Sequence, residues 1–576
     1  MKNNIVASKK PTFLSKIDIN YLVGDWCLTE KISKKNYRYK KLKYYGDDKK
    51  EIEKKLNFLF KIYLKVLKKF TVALNKYHNV KLTEKYWEIL ISRWLWHFLM
   101  YTHERWEIVK RLKKVKGNFY IKVDNYDEKI FIKKNTRSFT HNAHSPDWNN
   151  WIFSKILECN QKFKIIKTNN YYKKVKKEEK KKNEIFKNNF FLNNNNKVFI
   201  KNLYINKLSK IKINLAFNQF NPFNFSSPEY QVKDFKISKK RFKFKIFEKK
   251  SKNSYLNFLN SIIQVQIPKI FLEGFNEINS KLNYIKWPKN PKVILTSISH
   301  LNDDIFKFYI AKKKKEGSKL FVFQHGGGYI LDKSSFSHIL ESRVADKFFT
   351  WGCASKIKNI YPLFVSTTAG KRIKKNLNKN GLLIAVYDYA KYPNRLSSYL
   401  RTRDSVEKHI SDINDLLENL SSQNLKKTKI KFRKDEEGMV SEVLNKKIKK
   451  KFRSVKFYDK KLNIYEESAK YELIIETCNS TNLLECISLN IPIVTLWNKN
   501  YRVNNLYKKY YANLEKVNVI HKSPKSLAKF INKNKNIDKW WFSKKVQKSL
   551  QLFRNNICRF SANPEKELKN IINEAS

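Results

Sequence analysis

A histidine followed by three glycines, within Gln324-His325-Gly326-Gly327-Gly328-Tyr329, is the segment of this 576-residue chain whose chemistry is easiest to name. Consecutive glycines bare their backbone N–H groups and permit left-handed angles, which together make a nest for an anion. The whole chain contains 12 glycines, so three in a row stand out. His325 beside them is a candidate general base, or a donor to a developing negative charge. The competing reading is a tight strand-to-helix turn with a packed histidine.

A second candidate is Asn479-Ser480-Thr481-Asn482-Leu483-Leu484-Glu485. Ser480 or Thr481 can cap the helix that follows, leaving free N–H groups and hydroxyls to face a phosphate. Glu485 lies one turn further on, where it can accept bonds from a ribose. An ordinary capped helix gives the same pattern, and the pairing with a glycine nest is what favours a ligand. Polar residues on loops after strands form a third group: Asp25, Asp388, Arg395, Arg433 and Asp435. Arginine is a natural clamp for phosphate or carboxylate, although each of these residues alone also fits a structural ion pair. Asp303 and Asp304 open a helix and suit its cap and dipole.

Several chemistries are excluded. A His-Gly-Gly-Gly loop also serves lipases and esterases, but they need a GxSxG elbow, which this chain lacks. No Walker A motif and no GxGxxG follows a strand. The six cysteines form no CxxC pair, which argues against zinc ribbons and a disulfide framework and for a reduced, cytoplasmic setting. No DxD pair points to a metal–diphosphate site, and no metal is called for.

The elements that must position these residues are of two textures. From about residue 290, strands alternate with helices: strands at 293–297, 319–324, 347–351, 381–387, 429–433, 471–476 and 491–497, and helices at 302–315, 401–421 and 481–489. Such alternation argues for parallel sheets covered by helices. A break near 365–380 divides it into two doubly wound blocks facing a cleft, with ligands at the carboxyl ends of the strands. Before it, the chain reads as largely helical after a short strand at Ile19–Val23, with helices at 49–77 and 83–113. In the second helix Trp87, Leu90, Trp94 and Leu95 recur at helical spacing, the mark of core packing. Residues 167–198 are a Lys/Asn-rich insert. The basic run Lys236–Lys252 alternates charge with apolar residues and suits a strand with one solvated face. The boundaries that follow are 14–370 for an N-terminal domain and 381–560 for a C-terminal domain.

Composition sets the outer limits. Hydrophobic residues are 41% of the chain, enough for a large core. Lys+Arg number 121 against 51 Asp+Glu, a net charge of +70. The abundant Lys, Asn, Ile, Phe and Tyr are what A+T-rich codons specify, so codon bias accounts for much of that charge. It still attracts anions, and a nucleic-acid-binding protein is the reading from a different class. No nucleic-acid module supports it, and nucleic acid is not the expected partner. No secretory signal opens the sequence and no long apolar run suggests a membrane span.

The segment 479–502 resembles the C-terminal signature of glycosyltransferases with two Rossmann-like domains, the GT-B fold. More closely, the chain resembles a family of transferases from surface-polysaccharide and O-antigen loci. The resemblance rests on VGDWCL (23–28), PDWNNW (146–151), QHGGGY (324–329) with Glu341, ADKFFTWG (345–352), DYAKYPNRLSS (388–398), the NST block and IDKWW (537–541). It implies an α/β protein with two GT-B-like domains and a largely helical N-terminal part. It implies a nucleotide sugar as donor, with no further cofactor, and a cell-surface glycan or lipid-linked acceptor. Ser480 and Thr481 would face the donor phosphate and Glu485 its ribose, with Arg395 and Arg433 on the donor side. His325 and the glycines would line the acceptor side, and His325, Glu341 or Asp25 would be the base. A polyol-phosphate transferase of the same architecture is the alternative. The basic surface would hold the enzyme peripherally against anionic lipid at the inner membrane face.

Overall fold

Parallel strands cannot be joined by tight turns and bury both faces, so each needs a crossover and a helical cover. The computed structural model of the chain meets that demand three times. It describes residues 2–8, 13–27, 37–42, 49–159, 163–172, 197–217, 232–371, 379–386, 403–432, 448, 450–453, 455–458, 464–479, 481–497 and 501–574.

The first sheet contains β1 (Asn3–Val6), β2 (Ile19–Leu22), β3 (Tyr39–Lys41), β4 (Phe119–Tyr126) and β5 (Phe163–Tyr172), all parallel, in the order β3-β2-β1-β4-β5. Three helices accompany it: α1 (Lys49–His78), α2 (Glu84–Leu112) and α3 (Pro146–Glu158). The expected helices are therefore present, the strand expected at Ile19–Val23 is β2, and four further strands join it. Trp87, Leu90, Trp94 and Leu95 of α2 are fully buried, the packing role that their spacing predicts.

The second sheet holds β6 (Val198–Lys201), β7 (Val293–Thr296), β8 (Lys319–Phe323), β9 (Lys347–Thr350) and β10 (Ile360–Pro362), wound in simple sequence. Helix α4 (Asp304–Lys315) crosses between β7 and β8, and α5 (Ser337–Val344) between β8 and β9. Asp303 caps α4 through the N–H of Phe306, as expected. Asp304 does not cap it: buried, it accepts from Thr136 N–H and hydroxyl at 2.7 and 2.8 Å and pairs with Lys307.

The third sheet holds β11 (Leu382–Val386), β12 (Thr428–Phe432), β13 (Lys456–Tyr458), β14 (Leu473–Glu476), β15 (Ile493–Leu496) and β16 (Ile520–His521) in the order β13-β12-β11-β14-β15-β16. Renumbered within the unit this is 3-2-1-4-5-6, whose direction reverses between its first and fourth strands, β11 and β14. Around it run α6 (Arg403–Asn419), α7 (Thr481–Ser488), α8 (Lys508–Lys516) and α9 (Lys544–Ile557). The last helix, α10 (Pro564–Asn573), returns to the second sheet, where Leu568 and Ile572 join the core of β6, β7 and β8. The return passes Gly352, whose φ is 134° and where a Cβ would lie 3.2–3.4 Å from the Ile557–Arg559 backbone, so the position suits glycine.

The basic run at Lys236–Lys252 is not a strand. Lys239–Lys243 form a short 3-10 turn, and Arg241 is drawn inside. There it pairs with Glu273 and donates to the carbonyls of Gln264 and Ile267, so the alternation of charge reflects one buried ion pair rather than a pleat. Most of the Lys/Asn-rich insert, residues 173–196, lies outside the described residues.

Candidate functional site

The glycine loop and the NST loop meet. The first leaves the carboxyl end of β8 and the second the carboxyl end of β14, and the Gly327 N–H donates to the Thr481 hydroxyl at 3.0 Å. A Cβ on Gly327 would lie 3.1 Å from both Leu484 Cδ1 and Thr481 Cα, so a side chain there would push the two loops apart by a few tenths of an ångström. None of Gly326, Gly327 and Gly328 has a positive φ, so the left-handed nest expected of the triplet does not form. Gln324 braces the loop from behind. Its amide N–H donates to Gly326 O at 2.6 Å, while its side-chain oxygen accepts from Trp351 N–H at 3.1 Å.

Thr481 opens α7 beside the reversal of strand order, the place where open parallel sheets leave a crevice. Thr477 closes one side, donating to Ala385 O at 2.9 Å and held by His409 at 2.8 Å. Glu485, on the same helix, is 7% exposed. Burial pushes its carboxyl up to about 7, against the opposing pull of Thr367 and Lys371. Ser480, Arg395 and Arg433, together with Asp388 and Asp435, lie outside the described residues.

Behind the glycines runs a chain of buried polar groups. His300 Nε2 lies 2.9 Å from Glu341 Oε2, and the Tyr329 hydroxyl donates to Glu341 Oε1 at 2.8 Å. The same hydroxyl lies 2.6 Å from His325 Nδ1. Burial pushes the Tyr329 phenol far above its usual range, so it keeps its proton. With its O–H directed to Glu341, it can accept from His325 when the imidazole carries a proton on Nδ1. Burial works against ionised Glu341, but the bonds and charges of His300, His325 and Tyr329 outweigh it and hold the carboxyl below its usual value. Burial lowers His325, partly offset by Glu341 and by the Ser297 carbonyl. His325 is thus a neutral, partly exposed base at neutral pH, with groups at hand to stabilise its protonated form.

The sequence-predicted residues divide accordingly. His325, Gly326, Gly327, Gly328, Thr481 and Glu485 gather at the junction of the second and third sheets. Glu341 belongs to the same network, but it is 2% exposed with both oxygens bonded, a position from which it orients rather than touches a substrate. Asp25 sits in a helical turn after β2 of the first sheet, and its side chain is not among those described. Sequence reasoning missed His300 and gave Tyr329 no role. A histidine four residues past the end of β7, in Ser297-Ile298-Ser299-His300, carries the same strand-end signal as His325.

The second and third sheets are also tied by backbone. Asp332 pairs with Val503 as an antiparallel bridge, Lys333 N–H donates to Arg502 O at 2.9 Å, and Asn504 N–H donates to Leu331 O at 2.9 Å. The first sheet's α2 presses on α5, where Arg343 pairs with Glu88, and so covers the helix that carries Glu341.

Among solved structures, the chain is similar to MurG of Acinetobacter baumannii, at 9% identity and a TM-score of 0.30 over 53% of this chain and 80% of that one. It is similar to the wall teichoic acid polymerase TagF at 13% identity and a TM-score of 0.29, over 49% of this chain and 72% of that one. It is similar to the spinosyn forosaminyltransferase SpnP at 9% identity and a TM-score of 0.32, over 66% of this chain and 99% of that one. At such scores the fold rests on the strand order above. A search of curated proteins finds no match. The family model described as LIC12162 family transferase matches residues 4–572, all three sheets from β1 to α10, and the chain belongs to that family of transferases.

Proposed function

We propose that this transferase moves a glycosyl unit from a nucleotide-activated donor to a hydroxyl of a cell-surface glycan or lipid-linked acceptor. The observation that carries the reading is the contact of Gly327 with Thr481. It brings the glycine loop and a helix N-terminus together beside a strand-order reversal, a setting suited to phosphate. The donor phosphates would lie against the first turn of α7 and the exposed Gly328 amide, with the nucleotide ribose toward Glu485. His325 would take the proton of the acceptor hydroxyl. As the new C–O bond forms and the bond from the anomeric carbon to the phosphate oxygen breaks, the charge on the leaving phosphate would fall on those amides. Glu341, through Tyr329, would hold the ring and favour the imidazolium as it forms. The residues themselves call for no cofactor beyond the donor.

A panel of nucleotide sugars, each incubated with the protein and a lipid-linked acceptor extract, tests this through release of the free nucleotide. Wild type is expected to release nucleotide from one donor class, and His325→Ala to do so on the order of 100-fold or more slowly, as for loss of a general base. Equal release by both proteins would overturn the assignment of His325.

A further inference from the structure

One cavity of the third sheet is used by none of these roles. It has a volume of about 470 Å³ and opens at the carboxyl ends of β15 and β16, the same sheet edge as the NST loop. That size lies within the range of small-ligand sites, roughly 300–1,000 Å³. One wall is aromatic: the Trp497 ring centre lies 5.2 Å from Tyr511 and 5.4 Å from Tyr501, at interplanar angles of 66° and 88°. The rim is cationic. Arg502 pairs with Glu53 at 2.6 Å and Lys522 with Glu515 at 2.5 Å, whereas Lys333 and Lys508 have no ion pair among the described residues. Lys333 comes from the strap that follows the glycine loop, and Lys508 from the first turn of α8. Asp332, next to Lys333 in the chain, is pushed up to about 7 by burial, with Ser334 and Arg502 opposing, so it offsets only part of that charge at neutral pH.

We propose that this cavity is a subsite for a small carbohydrate or polyol unit that carries a negative charge, gripped by Lys333 and Lys508 and seated on the Trp497–Tyr511 wall. A carboxylated sugar and a phosphorylated polyol share this chemistry. The proposal deepens the transferase reading, because such a unit would be part of a substrate. Its binding can nevertheless be measured without turnover.

Isothermal titration of the full chain with glucuronate, glycerol 3-phosphate, glucose and glycerol tests it. One or both charged probes are expected to bind at least about tenfold more tightly than their neutral counterparts, and whichever binds names the source of the charge. The double variant Lys333→Met/Lys508→Met is expected to lose about tenfold or more of that affinity, a loss well above the scatter of surface substitutions. Lys516→Met, exposed at the far end of α8, is expected to leave it unchanged. Charged probes no tighter than neutral ones, or an equal loss in Lys516→Met, would overturn the subsite. Nucleotide-induced melting shifts on the same samples keep the two readings apart. A protein that responds to nucleotides but not to charged probes refutes only the cavity, and the reverse refutes only the nucleotide site.

Discussion

Tyr329 has one hydroxyl proton and two hydrogen-bond neighbours, and that shortage orders the site. Tyr329→Phe removes a donor from buried Glu341 and an acceptor from His325. A positioning role predicts a kcat lower by roughly tenfold or more, an altered alkaline or acid limb of the pH–rate profile, and unchanged donor affinity. A variant with a wild-type pH profile would show that the network merely fills space. Glu485 carries a separate signature. Its carboxyl titrates near 7 in the fold but near 4.5 in the unfolded chain, so the unfolded state sheds its proton first. Stability therefore falls as pH rises from about 4.5 to 7, and the ionised group costs the fold on the order of 3 kcal/mol above that window. Glu485→Gln is expected to raise stability at pH 8 by an amount of that order and to leave it nearly unchanged at pH 4.5, as urea unfolding would show. A variant less stable at pH 8 would mean that the carboxylate is held by favourable partners.

At the scale of elements, the junction depends on how closely the glycine loop can approach α7. Gly327→Ala forces a methyl against Leu484 and the Thr481 backbone, which is expected to cost about 1–3 kcal/mol in unfolding experiments and to weaken nucleotide binding. An alanine variant with native stability and binding would show that the two loops separate freely. This pair of elements was legible in the sequence because both signals are local: a glycine triplet after an apolar strand, and cap-forming residues before an amphipathic helix. The first sheet was not. Its central strand β1 begins with two asparagines, and buried Asn4 donates its amide to Asn20 at 2.8 Å and to Phe13 O at 2.7 Å. That pairing joins residues 16 apart, and no apolar pattern announces it. Arg241 misled in the opposite sense, because its partner Glu273 lies 32 residues away. What sequence hides here is buried polarity satisfied at long range.

At the scale of the molecule, three sheets are joined by contacts that converge on one edge. The second and third share the pairing of 330–333 with 502–504. The first reaches both, through Arg343 to Glu88 and Arg502 to Glu53. No helix among the described residues is long and apolar enough to cross a membrane. A net charge of +70 nonetheless predicts attachment to vesicles of anionic lipid, weakening steeply between low and physiological salt as the charges are screened. Sedimentation with anionic and neutral vesicles checks this, and equal binding to both would remove the membrane from the account. The central claim is that the meeting of Gly327 and Thr481 builds a nucleotide–phosphate site. The most direct measurement is the thermal melting of wild type, Thr481→Ala and Glu485→Ala with CMP-, UDP-, GDP- and dTDP-based ligands. A ligand at about a hundredfold over its Kd stabilises the native state by about 2.7 kcal/mol. The account predicts a shift with one nucleotide class, lost in both variants, whereas a folded wild type that responds to none, or variants that respond as wild type does, would contradict it.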